Sequence, residues 1–129
     1  MATILLVDDD PNILHPLRLL LEREGYRVLT APDGQAALSA TVVESPNLIV
    51  TDWMMPRMDG VGLCRRLKDD AATAEIPVVM LSAASPPPPV EPLWDVLLPK
   101  PTPIARLIKE IRTLVKERGS SASAHAPTR

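Results

Sequence analysis

Apolar residues occur in short runs, and most of these runs end abruptly in a polar group. Thr3-Ile4-Leu5-Leu6-Val7 leads into Asp8-Asp9-Asp10, and Leu48-Ile49-Val50-Thr51 into Asp52. Val78-Val79-Met80-Leu81 ends in Ser82, and Val96-Leu97-Leu98 lies just before Lys100. Such uniformly apolar segments predict parallel strands covered on both faces. Tyr26 to Ala31 is more mixed and predicts a strand nearer an edge. Between the strands the period changes. Leu14, Leu17, Leu20 and Leu21 recur at helical spacing after Asp10-Pro11, an N-cap followed by proline at the first helical position, and Gly25 supplies the stop. Gln35 to Val43 predicts a small-residue helix, and Val61, Leu63, Cys64 and Leu67 an amphipathic one. In the last helix Ile104, Leu107, Ile108, Ile111, Leu114 and Val115 share one face, opposite a solvated face of Arg106, Lys109, Arg112 and Lys116. Strand and helix alternate throughout, which means a parallel sheet with right-handed crossovers, an α/β fold.

Two stretches conflict with this regularity. Pro16 falls inside the first helix, where it removes the bond to the Asn12 carbonyl and costs up to about 3 kcal/mol in a regular interior. Either the first turn is distorted or the regular helix begins near Pro16. Proline is also concentrated between the fourth and fifth strands, at Pro86 to Pro89 and Pro92. Beyond the last helix, residues 119–129 are rich in Ser and Ala. They are expected to form a disordered tail on a domain spanning residues 1–118.

A chain of 129 residues, 46% of them hydrophobic, can bury the core of one domain. No apolar run approaches the ~18 residues of a membrane span, and no signal-peptide pattern opens the chain. With a single cysteine, Cys64, the expected location is a reducing cytoplasm. A net charge of −2 gives no reason to expect direct contact with nucleic acid.

The strand ends carry the chemistry. In open α/β sheets ligands bind at the carboxyl edge, and here that edge gathers Asp8, Asp9, Asp52, Ser82 and Lys100. Carboxylates crowded there repel one another unless a cation is present. An all-oxygen donor set selects a hard ion, Mg²⁺ or Mn²⁺, whose shell is often completed by a phosphoryl oxygen. Lys100 is a point charge suited to phosphate, and Ser82 can donate a further hydrogen bond. A carboxylate can also be the nucleophile that forms an aspartyl phosphate. The set suits phosphoryl transfer onto Asp52. Loss of Lys100 is expected to slow that transfer and to leave metal binding nearly intact.

The chain resembles the receiver (response regulator) domains of two-component signalling. The resemblance rests on Asp8-Asp9, on Asp52 followed by Met55-Pro56 and Asp59-Gly60, on Ser82-Ala83 and on Lys100-Pro101, in that order, and covers roughly residues 3 to 118. It implies a flavodoxin-like, doubly wound five-stranded sheet of order 2-1-3-4-5. It also implies that Asp52 accepts a phosphoryl group from a histidine kinase or phosphotransfer protein. Mg²⁺ would be held by Asp8, Asp9, Asp52 and the Met54 backbone carbonyl, and Ser82 and Lys100 would contact the phosphoryl group. A cis Lys100–Pro101 peptide is implied as well. Such a domain is a phosphoprotein switch in a phosphorelay and assists only its own phosphorylation and dephosphorylation. The sequence departs from the family at Leu97, where an aromatic residue is usual, at Thr102, where Phe is common, and in a short Ser82-to-Lys100 interval. The prolines in that interval predict that the family's fourth helix is missing or reduced to about one turn, with Leu93 and Trp94 covering the surface it would bury.

Plainer readings stand beside these. Asp52 could cap its loop, Asp8 and Asp9 could cap the first helix, and Ser82 could merely end a strand. His15 and His125 lack partners at metal-ligand spacing. Trp53, Met54, Met55 and Met58 could be a partner surface or loop packing. The alternative function is a receiver-like interaction module that does not switch by phosphorylation, for which Leu97 and the proline run speak. An aspartyl-nucleophile phosphatase ranks last, because Met54 stands where such enzymes need a general acid.

Overall fold

The computed structural model describes residues 1–55, 58–83 and 93–125, with side chains described as far as Lys116. Five parallel strands form one sheet: β1 (Thr3–Val7), β2 (Arg27–Ala31), β3 (Leu48–Asp52), β4 (Val78–Ser82) and β5 (Val96–Pro99). Their spatial order is β2-β1-β3-β4-β5, with β2 and β5 at the edges. The helices are α1 (Pro11–Arg23), α2 (Gly34–Glu44), α3 (Gly60–Lys68) and α4 (Ile104–His125).

The two-residue repeat of a strand divides the core into two layers. Ile4 and Leu6 of β1 join Val50, Leu81 and Leu98 beneath α1 and α4, which contribute Leu17, Leu21, Leu107 and Ile111. Leu5 and Val7 face the other way, with Ile49, Val78 and Met80, and are covered by Ala37 of α2 and Leu63, Cys64 and Leu67 of α3. The three central strands, β1, β3 and β4, are buried at every position, whereas β2 and β5 are only partly so. Leu93 and Trp94 pack against the α2/α3 layer, as do Trp53, Met55 and Met58.

Local signals explain the helix ends. Asp10, Asp33 and Asp59 are N-caps whose carboxylates accept the N–H groups of Asn12, Ala36 and Gly62 at 2.9, 2.8 and 2.7 Å. Gly25 adopts φ 95°, where a Cβ is disfavoured, and turns the chain from α1 toward β2. Helix α1 starts at Pro11 and continues through Pro16, so the later start does not occur. Its first turn is tightened instead: the Asp10 carbonyl accepts from both Ile13 and Leu14. Leu17 and Leu21, buried beyond the proline, anchor the remaining turns.

Helix α4, the fourth in chain order, follows β5 and continues through residue 118 to His125. The expectation of a missing or degenerate helix between β4 and β5 concerns mainly residues 84–92, which lie outside the described residues. Part of the tail, residues 126–129, lies outside them too. No helix among the described residues is long and apolar enough to cross a membrane.

Candidate functional site at the carboxyl edge of the sheet

Strand register brings the polar strand ends together. Val7 is level with Thr51, Asp52 with Leu81, and Ser82 with Pro99. Ladder bonds continue one step past the strands: the N–H groups of Asp8, Trp53 and Lys100 donate to the carbonyls of Ala31, Leu81 and Ser82 at 3.1, 2.9 and 2.9 Å. Each functional side chain therefore leaves from backbone fixed by the sheet.

Asp8, Asp9 and Asp52 each present a carboxylate oxygen, and the three oxygens lie within 4.8 Å of one another. Asp8 and Asp52 are buried and Asp9 is exposed. The Lys100 Nζ reaches across from β5 and donates to Asp8 Oδ2 at 2.9 Å, while lying 3.1 Å from Asp52 Oδ2. The other Asp8 oxygen, Oδ1, accepts the Asp10 N–H at 2.9 Å. Ser82 is buried at the end of β4, next to Asp52 in the strand order. The Lys100–Pro101 peptide is cis.

Burial raises the Asp52 carboxyl above its ordinary 3.8; Lys100 pulls the other way and the charges of Asp8 and Asp9 add to the rise. For Lys100, burial alone would lower the ammonium below 10.5, but the bonds to Asp8 and Asp52 outweigh it and hold the value above. Its two carboxylate partners thus favour the charged ammonium. The sequence placed Lys100 at this edge for contact with a phosphoryl group; its ion pairs with Asp8 and Asp52 are an additional feature of the structure.

The loop after β3 is anchored more tightly than its sequence suggests. Gly60 N–H donates to the Trp53 carbonyl at 2.8 Å, drawing the first turn of α3 onto the end of β3. A Cβ on Gly60 would lie 2.5 Å from the Asp52 carbonyl oxygen. That oxygen also accepts the Thr51 hydroxyl at 3.0 Å. Neither Thr51 nor Gly60 stood out as a site residue in the sequence. The Asp59-Gly60 pair signalled a turn, but the close approach depends on where α3 docks. Met58 packs over Gly34, and with Trp53 and Met55 it belongs to the loop packing, whereas Met54 is exposed. Leu97 is 40% exposed on β5. The Thr102 hydroxyl donates to the Pro99 carbonyl. Cys64 is buried in the α3 layer, and burial pushes its thiol up to about 12, which suits packing and not nucleophilic chemistry. His15 is exposed on α1, away from the acidic group.

An acidic cluster, two of its three carboxylates buried and bridged by one lysine, lies at the carboxyl edge of a doubly wound 2-1-3-4-5 sheet. The model of the response regulator receiver domain matches residues 4–112, and the chain belongs to that family. It is 44% identical over 81 residues to the phosphate regulon transcriptional regulatory protein PhoB of Pseudomonas aeruginosa, a match covering 63% of this chain and 35% of that protein. It is 46% identical over 82 residues to the response regulator PleD of Caulobacter vibrioides, covering 64% and 18%. The matched part is thus about a third or less of either relative. Among solved structures, the receiver domain of a signal transduction histidine kinase from Syntrophus aciditrophicus superposes with a TM-score of 0.80 at 28% identity, covering 100% of this chain and 96% of that one. The receiver domain of the Francisella response regulator 1452 gives 0.79 at 29%, covering 92% and 99%. The chain is a receiver domain of two-component signalling, a signalling module.

Proposed function

We propose that Asp52 is the phosphoacceptor of this receiver, modified by a histidine kinase or phosphotransfer protein with Mg²⁺ or Mn²⁺ at the acidic cluster. The observation that carries this reading is the convergence of Asp8, Asp9 and Asp52 within 4.8 Å around the Lys100 ammonium. Three carboxylates against one lysine leave negative charge uncompensated, and the donors are all oxygen, which fits a hard dication. Asp8, Asp9, Asp52 and the Met54 backbone carbonyl would hold it. When bound, the cation would neutralise charge on the phosphoryl oxygens.

Asp52 supplies the nucleophile. A carboxylate oxygen attacks the phosphorus of a phosphohistidine, a P–O bond forms, the P–N bond breaks, and the leaving imidazole takes up a proton. The product on this chain is an acyl phosphate. Lys100, held at the site by β5, is placed to meet charge on the transferred group, and the Ser82 hydroxyl to donate to another of its oxygens. The backbone N–H bonds of Trp53 and Gly60 and the Thr51 hydroxyl, which donates to the Asp52 carbonyl, keep the Asp52 end of β3 from shifting during attack. We read the chain as a switch that assists only its own phosphorylation and dephosphorylation. We place the chain in the cytoplasm, take residues 1–118 as the receiver unit and leave its output partner unnamed.

Incubation with acetyl phosphate and Mg²⁺, followed by intact mass, should show a single added phosphoryl group that hydroxylamine removes. Asp52→Asn should show none. A variant modified as fully as the parent would sink the assignment, and a parent never modified would favour the non-switching interaction module.

A further inference from the structure

We propose that Met58 is a peroxide-sensitive modification site: oxidation to the sulfoxide unseats it from Gly34 and loosens the loop that joins Asp52 to α3. The site itself rests on packing and access. Its effect on Asp52 rests on the phosphoacceptor reading given above.

Met58 immediately precedes Asp59, the N-cap of α3. Its side chain lies across the buried Gly34 at the start of α2. A Cβ on Gly34 would meet Met58 Cγ and Sδ at 2.9 Å and Met58 Cβ at 3.0 Å. A Cβ on Gly62 of α3 would meet Met58 Cγ at 3.3 Å. The thioether thus fills the space between the first turns of two helices, and it packs against the α2/α3 core layer. It also lines an open cleft of about 470 Å³, whose other walls are Asp33, Gln35, Ala36 and Ser39. A carboxylate, an amide and a hydroxyl make those walls polar, so a small polar oxidant reaches the sulfur from solvent.

Of the five methionines, Met58 combines such access with close packing. Met1 and Met54 are 94% and 65% exposed, so a sulfoxide there disturbs little, and Met80 is 0% exposed. Met55 packs against the core layer but does not line the cleft. In the reaction with hydrogen peroxide the O–O bond breaks, one oxygen bonds to Met58 Sδ, and the other leaves as water. The sulfur is oxidised by two electrons and the peroxide reduced by two. The product is polar and chiral where an apolar group stood. With the sulfur against Gly34, the new oxygen is solvated from the cleft side, so the side chain turns off Gly34 and leaves a gap between α2 and α3. The loop that carries the Met54 carbonyl then loses its anchor next to Asp59.

The test is graded exposure of the folded protein to hydrogen peroxide, with peptide mass for each methionine and urea unfolding of the same samples. Met58 should be oxidised well before Met80, and the urea midpoint should fall by about 1 M in step with Met58. Met58→Leu keeps a similar volume and has no sulfur to oxidise. Its midpoint should hold to within about 0.2 M through the same treatment, whereas that of Met54→Leu should fall with the parent. A second measurement needs no variant: methionine sulfoxide reductases should restore the midpoint of the oxidised parent, which they could not do if Cys64 were the group attacked. Protection of Met58 equal to that of Met80, or an equal fall in the parent and Met58→Leu, overturns the proposal. After peroxide, acetyl phosphate should label the parent about threefold more slowly than Met58→Leu. Equal rates overturn the coupling to Asp52. A parent that takes no phosphoryl group even before peroxide overturns the phosphoacceptor reading instead, and the midpoints still decide the oxidation site.

Discussion

Gly60 and Gly62 are two residues apart in one helix, and the same substitution at each should have different consequences. On Gly60 a Cβ would meet the Asp52 carbonyl oxygen at 2.5 Å, the Trp53 Cα at 3.1 Å and the Met80 Cε at 3.2 Å. The first two are backbone atoms. The Asp52 carbonyl cannot retreat, because its strand is paired with β4 and the oxygen itself holds the Thr51 hydroxyl. Helix α3 must therefore move outward, stretching the 2.8 Å bond from Gly60 N–H to the Trp53 carbonyl. Forced overpacking of this kind costs about 1–3 kcal/mol, and the rigid neighbours place Gly60→Ala at about 2–3. Gly62→Ala would approach only Asp59 Oδ1 and Met58 Cγ, both at 3.3 Å and both on side chains that can give. An alanine in place of glycine favours the helix by up to about 1 kcal/mol, so this variant should lie near zero or be slightly stabilised. Urea unfolding separates the two. Gly60→Ala should lower the midpoint by on the order of 1–2 M with m unchanged, and Gly62→Ala by a small fraction of that. Because the strain falls on the Asp52 end of β3, Gly60→Ala should also phosphorylate more slowly with acetyl phosphate than Gly62→Ala. Equal midpoints for the two variants would refute the close approach of α3 to β3.

Asp52 should make the metal-free protein less stable as pH rises. Its carboxyl is raised above 3.8, chiefly by burial, so its favourable contribution is present below the unfolded value and is lost as pH climbs from 3.8 through the folded one. Asp52→Asn should therefore have the higher urea midpoint near neutrality without divalent cations, with the two proteins converging in acid; a less stable variant at neutral pH would contradict this. Asp59→Ala removes the acceptor for the Gly62 N–H at 2.7 Å and should cost about 1 kcal/mol in the same assay. Cys64, buried with its thiol raised to about 12, should resist thiol reagents in the folded protein and react fully in denaturant. Rapid native labelling would show that the α3 layer opens.

The sheet and its active edge were legible because the signals were local. Ile4 to Val7 and Leu48 to Val50 need two apolar faces, so they read as central strands, and the carboxylates that follow must leave at the sheet edge. Asp10 and Gly25 act within a turn of their own position, so that cap and that stop could be read directly. Of the two outcomes that Pro16 left open, the altered first turn occurs and the later start does not, because Leu17 and Leu21 tie the turns after the proline to β1 and β2. Gly60 carried a turn signal and hid a packing constraint. Which atom a missing Cβ would strike depends on how α3 docks, and that is fixed by Leu63 and Leu67 entering the core.

The Lys100 pairing shows where reading from strand ends stops. Sequence order says that Asp8 and Lys100 share an edge, but they leave from β1 and β5, with β3 and β4 between them. At about 4.8 Å per strand the two backbones are well over 10 Å apart. A lysine stem can close that gap only by reaching over Ser82 and Asp52. The stem starts from a fixed point, because the Lys100 N–H donates to the Ser82 carbonyl at 2.9 Å. Had β5 carried an acid and β3 a lysine, the same composition at the edge would have left Asp8 beside its cation without any reach. The strand order therefore decides the site's geometry as much as the residue types do: a lysine on a neighbouring strand would meet Asp8 alone, whereas one reaching from beyond β4 lies against Asp52 and Asp8 together.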